Sequence, residues 1–218
     1  MKLTVLDSII KPMGYVPPLR AVSVVNKQNR SRKLDGDEFL REATGFNRLH
    51  NGTIIPIPAH LAAKQRRMSL NLLMMADAEA NGRIGMLGIF CHGWTTGLQT
   101  GHSLDSAIEL AGTLHAVCTP DVRIFAAACS AGVRFLPRLH ELMGNLGMSP
   151  TIWGHTTAGH TTRNPNLIRI YPDGEPELLD GEYRKIVKSA LDKSPTFRFR
   201  IPLADSMSQL VDWAEAEG

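Results

Sequence analysis

The 218-residue chain holds only three cysteines, Cys91, Cys118 and Cys129. An odd set cannot pair completely, and their spacing forms neither a disulfide framework nor a CxxC metal knuckle. Reduced thiols, an intracellular setting and a cytoplasmic location are therefore expected. No uninterrupted apolar run approaches the roughly 20 residues that span a bilayer. Met1-Lys2-Leu3-Thr4-Val5-Leu6-Asp7 lacks the apolar core of a signal peptide, so no membrane partner is expected. Charge of one sign is also scarce, the formal net charge being +3. The one basic cluster, Lys27, Arg30, Arg32 and Lys33, lacks the interleaved aromatic residues that stack on bases. It reads as a solvated loop, and no nucleic-acid partner is expected.

What the chain does have is enough apolar material for one sizeable core: 43% of residues are hydrophobic, with no break in composition. A single α/β domain over residues 1–218 is expected. Residues 1–20, with Pro12, Pro17 and Pro18, form an irregular N-terminal arm in this reading, and residues 181–218 a C-terminal helical region. Strands are expected over 20–26, 84–91, the run ending at Cys129, 151–154 and 167–171. The β-branched segment 52–58 is broken by Pro56 and Pro58, which suits an edge strand or the entry to the next helix. Helices are expected over 37–43, 59–80, 104–117, 133–146, 181–191 and 205–216. In the helix over 59–80, Leu61, Met68, Leu72, Leu73, Met75 and Ala76 recur at spacings expected to form the buried face. Strands alternating with helices imply a three-layer α/β/α sandwich around a mainly parallel sheet.

Two of these strands end in reactive side chains. Gly88-Ile89-Phe90-Cys91-His92-Gly93 delivers a histidine, and Ile124-Phe125-Ala126-Ala127-Ala128-Cys129 a cysteine. The carboxyl ends of parallel strands are where α/β proteins place their chemistry. A thiol becomes a good nucleophile as thiolate, and an adjacent imidazole can take its proton and return it to a leaving amine. The two positions lie 37 residues apart (129 − 92), room for one helical crossover between neighbouring strands. The backbone N–H groups of Gly93 and Cys129 are then candidates for an oxyanion hole.

A helix, an apolar strand ending in His92-Gly93, a second helix and an apolar strand ending in Ala128-Cys129 together resemble the caspase, gingipain, legumain and CHAT superfamily of cysteine peptidases, clan CD. The resemblance covers roughly residues 21–171. It implies a caspase-like fold and a catalytic dyad of His92 and Cys129, with Gly93 matching the glycine after the family's histidine. It also implies endopeptidase cleavage of a peptide or protein substrate without a cofactor. The caspase cysteine motif carries Gln-Ala-Cys, whereas Ala127-Ala128-Cys129-Ser130-Ala131 lacks the Gln and is closer to CHAT and bacterial members.

Three readings stay open for the stretch 153–165, which contains His155, His160 and Arg163. It is a substrate-binding loop, with Arg163 attracting an acidic side chain or carboxylate; or a metal site using His155 and His160 with His92 or His102; or a hydroxyl-rich loop with no ligand. No HExxH helix or carboxylate partner accompanies the second. The corresponding alternatives for the whole chain are an inactive caspase-like binding or scaffolding module and a His-liganded metal-dependent hydrolase. Oligomeric state is not legible.

Overall fold

Strands that are apolar on both faces need cover on both faces, and β3 (Ile84–Phe90) is buried along its whole length. It lies near the centre of a seven-stranded sheet in a computed structural model that describes residues 20–27, 35–158, 164–178, 181–193, 211, 212 and 215. The expected arm up to residue 19, and nearly all of the last expected helix, lie outside the described residues.

The elements before β3 are β1 (Ala21–Lys27), α1 (Asp35–His50), β2 (Thr53–Pro58) and α2 (Ala63–Asn81). After it come two-residue strands β4 (Gly93–Trp94) and β5 (Gly97–Leu98), then α3 (Ala107–Val117), β6 (Cys118–Ala127), α4 (Phe135–Asn145) and β7 (Thr151–His155). The described order ends with β8 (Leu167–Ile170), β9 (Pro176–Leu178) and α5 (Gly181–Lys193). The main sheet runs β2-β1-β3-β6-β7-β8-β9. The first five are parallel, and β8 and β9 are antiparallel. The α/β class and the mainly parallel sheet agree with expectation.

The step from β1 to β2 runs one way across the sheet, and the next three crossovers run the other way. With a single hand of crossover, α1 must lie on the opposite face from α2, α3 and α4. The core divides accordingly. Val22, Val24, Leu87, Ile89, Ile124 and Ala126 pack with residues of α2, α3 and α4. Val25, Phe90, Phe125, Ala127 and Trp153 pack with Phe39, Ala43 and Phe46 of α1 and with Val187 and Ala190 of α5. Helices thus cover both faces, an arrangement compatible with three layers. Among the described residues no helix is long and apolar enough to cross a membrane.

Several elements depart from the sequence reading. α1 extends to His50, well past the expected short helix, because Phe46 and Asn47 continue the inward line begun by Phe39 and Ala43. β2 is the edge strand, and its Pro56 is exposed where a missing backbone donor costs least. β9 and the small β4–β5 hairpin, with Gly93 opposite Leu98 and Trp94 opposite Gly97, were not expected. β6 begins at Cys118, directly after the C-terminus of α3 that Cys118 caps, well before the apolar run that ends at Cys129.

The largest correction concerns α2. Its buried residues are Leu70 and Met74, whereas Met68, Leu72, Leu73 and Met75 are exposed. Apolar residues occupy two sides of this helix, and only one side can meet the sheet and α3. The inward side carries Leu70 and Met74 one turn apart, flanked by Arg66 and Arg67, whose guanidinium groups reach out to backbone carbonyls of Leu61 and Gly101.

Candidate active site

The register between β3 and β6 positions the two reactive side chains. Met86 pairs with Arg123, and each following pair keeps the same offset up to Phe90 with Ala127. Both strands end at that pair, and His92 and Cys129 each follow two residues beyond it. Residues 84–91 and 124–128 are all buried, and His92, Gly93, Cys129 and Ser130 are the first on each strand to reach solvent. The sheet thus holds both groups on a rigid base and releases them at its carboxyl edge.

The pleat decides which way each cysteine and histidine faces. Cys91 belongs to the core on the α2–α4 side. Its neighbour His92 emerges on the other side, with its ring edge-on to Phe39 of α1 at a centroid distance of 5.0 Å and 85° between planes. Burial pushes the Cys91 thiol up to about 12, and burial does the same to Cys118. Both are inert thiols at neutral pH; Cys129 is partly exposed.

Each half of the site is clamped from outside its own strand. His92 donates its backbone N–H to Gln99 Oε1 at 3.1 Å and accepts from the Gln99 N–H at 2.8 Å. Gln99 is in turn held through its carbonyl by Asn26 of β1. On the other half, Ser130 adopts φ 55°, uncommon for a residue with a side chain, so the chain turns sharply just after Cys129. That turn is fastened to the end of β7: Ser130 donates to the Thr157 carbonyl at 3.1 Å and Gly132 to the His155 carbonyl at 2.9 Å. The Phe135 N–H at the start of α4 donates to the Thr95 carbonyl at 3.1 Å, linking the cysteine half to the β4–β5 hairpin.

The two halves touch through backbone. A Cβ placed on Gly93 would stand 2.7 Å from Ala128 Cβ and 2.9 Å from the Cys129 carbonyl oxygen. Only a glycine allows this approach.

The remaining residues singled out in the sequence are distributed unevenly. His155 ends β7 on the same face as Phe125, 1% exposed, with ring centroids 6.3 Å apart. His160 and Arg163 lie outside the described residues. The flanks of their segment are joined: Thr157 Oγ1 donates to Asn164 Oδ1 at 3.2 Å, and Asn164 Nδ2 to the Thr157 carbonyl at 3.0 Å. Because Thr157 also holds Ser130, Thr157 and Asn164 are tied to the turn that follows Cys129. His102 is buried, 2.9 Å from Thr100 Oγ1, and burial first, then the Arg67 charge, lowers it to about 4. Among the described residues, no three His, Cys, Asp or Glu side chains are grouped to hold a metal ion.

Gln99, Phe39 and Thr157 were missed in the sequence. An isolated glutamine in a glycine-bounded loop carries no periodic signal, and Phe39 reads simply as a core residue of its helix. No family model, no curated protein and no solved structure matches this chain.

Proposed function

We propose that this chain is a cysteine endopeptidase of caspase-like fold, built as a three-layer α/β/α sandwich, with His92 and Cys129 as its dyad. The observation that carries the reading is the parallel β3–β6 register, constant from Met86–Arg123 to Phe90–Ala127, together with the close approach of Gly93 to Ala128 and Cys129 just beyond it. Chance burial of a cysteine and a histidine does not require that packing.

In this mechanism His92 takes the Cys129 proton, and the thiolate attacks the scissile carbonyl carbon. The resulting oxyanion meets the N–H groups of Gly93 and Cys129. The Ser130 N–H is already donated to Thr157 and is no part of that pair. His92 then protonates the leaving amine, which departs as the thioester forms. Water, giving a proton to His92, hydrolyses the thioester; the acid leaves and Cys129 recovers its proton. No cofactor enters these steps. Peptide or protein substrates lie along the carboxyl edge, and His155, His160 and Arg163 belong to the substrate side of the site. The proposed location is the cytoplasm.

The test is adduct mapping after treatment with iodoacetamide and with an acyloxymethyl ketone at pH 8. With thiols pushed to about 12, only about one in ten thousand of the Cys91 or Cys118 side chains is thiolate at that pH. Modification at Cys129 is expected, with loss of ketone labelling and of peptide-library cleavage in Cys129→Ala and His92→Ala chains. Labelling at Cys91 or Cys118 in preference to Cys129 overturns the assignment. An inert Cys129 favours a binding module instead.

A further inference from the structure

Four of the eleven large hydrophobic side chains exposed among the described residues sit on the single helix α2. Met68 is 56% exposed, Leu72 66% and Met75 50%, and Leu73 widens the strip. Gln65, Met68, Leu72, Met75 and Glu79 recur at alternating steps of three and four residues, the spacing of a helix-pairing seam. From Gln65 to Glu79 the seam runs about 21 Å.

The charges on α2 run against its own dipole: Lys64, Arg66 and Arg67 lie near its start and Asp77 and Glu79 near its end. Most of these are engaged within the chain. Arg66 holds the Leu61 carbonyl, Arg67 pairs with Glu109, and Asp77 pairs with Arg20. Lys64 adjoins one end of the seam and Glu79 forms the other, both exposed and with no ion pair among the described residues.

We infer that α2 is a self-association surface, and that its occupant is the α2 of a second copy lying antiparallel across a two-fold axis. Leu72 sits at the middle of the seam and meets the partner's Leu72 on the axis. Met68 then lies within one residue of the partner's Met75, and Lys64 within one residue of the partner's Glu79, both within side-chain reach. A two-fold axis makes that ion pair twice and sets the two helix dipoles antiparallel, each N-terminus beside the other's C-terminus. A parallel pairing would instead stack Lys64 on Lys64 and Glu79 on Glu79. The occupant is argued from this charge complementarity, and the proposal is independent of the chemistry at the sheet edge. One helix face makes a small interface, so the association is expected to be weak and concentration-dependent.

Sedimentation velocity of the full chain over about 1 to 300 μM, where small interfaces populate, reads the outcome. The mass is expected to rise from 23.9 kDa towards twice that value. Leu72→Arg, at a site already exposed, is expected to keep its melting temperature and remain monomeric. Lys64→Glu alone is expected to weaken association several-fold, and Lys64→Glu with Glu79→Lys to restore it. A Leu72→Cys chain is expected to oxidise to a dimer cross-linked through that position. A chain monomeric at every concentration overturns the inference. So does a dimer indifferent to Leu72→Arg.

Discussion

Replacing Gly93 by alanine tests whether the two strand ends are held as tightly as their packing requires. The new Cβ would lie 2.7 Å from Ala128 Cβ and 2.9 Å from the Cys129 carbonyl oxygen. Carbon atoms rest about 3.5–4.0 Å apart, so the His92 loop and the Cys129 turn must separate by roughly 1 Å. Neither contact is the free end of a flexible side chain, and both flanks are clamped, by Gln99 on one side and by Thr157 and His155 on the other. Overpacking of this kind costs about 1–3 kcal/mol of stability. A displacement near 1 Å between reacting groups lowers a rate on the order of 100-fold. Urea unfolding reads the first quantity. The rate of Cys129 modification by an acyloxymethyl ketone, compared with iodoacetamide, reads the second. Ketone labelling needs the imidazole and the oxyanion donors, so it is expected to fall far more than simple alkylation. Gly112→Ala serves as the control. Gly112 lies inside α3, where an added Cβ meets nothing within 4 Å, and the change is expected to add about 1 kcal/mol of stability without touching Cys129. A Gly93→Ala chain with wild-type stability and ketone reactivity within twofold of wild type would refute the close approach as a constraint.

Gln99→Ala removes the acceptor of the His92 N–H and is expected to cost about 1 kcal/mol and to slow ketone labelling about tenfold. Gln99→Glu, which keeps an acceptor oxygen, is expected to recover most of that labelling rate. His102 is lowered from 6.5 to about 4, so between these values the unfolded chain binds the proton and the folded chain does not. Stability is therefore expected to fall as pH drops from about 6.5 to about 4, by roughly 3 kcal/mol at the limit. Urea titrations at pH 7 and 4.5 check this, and His102→Gln is expected to flatten the difference. The selective modification of Cys129 and the α2-mediated self-association complete the set, each with its own readout.

The sheet was legible because fully buried stretches of parallel strand write themselves as continuous apolar runs, as β3 and the last part of β6 do just before His92 and Cys129. That these two strands are neighbours in parallel follows from the same pattern, one helix lying between them. The inward face of α2 was not legible. Met68, Leu72 and Met75 satisfy helical spacing as well as Leu70 and Met74 do, and burial is decided by what stands opposite, which periodicity does not contain. The β4–β5 hairpin escaped because two-residue strands are shorter than any period. The Gln99 clamp escaped because its geometry arises from tertiary contact with β1. His160 and Arg163 fall outside the described residues.

The constant β3–β6 offset separates what this site tolerates from what it does not. Lengthening the crossover that contains α3 changes the sequence distance between His92 and Cys129 yet leaves their heights on the sheet untouched, at a loop-closure cost that grows only logarithmically. Removing one residue inside β6 leaves the crossover intact but turns every later side chain to the other face, carrying Cys129 away from His92. The interval between histidine and cysteine is thus free to drift among sequences that keep this site, whereas the phase of each strand is not. Scanning one-residue insertions through residues 99–129 would trace that boundary directly, with reactivity surviving in the crossover and disappearing within the strand.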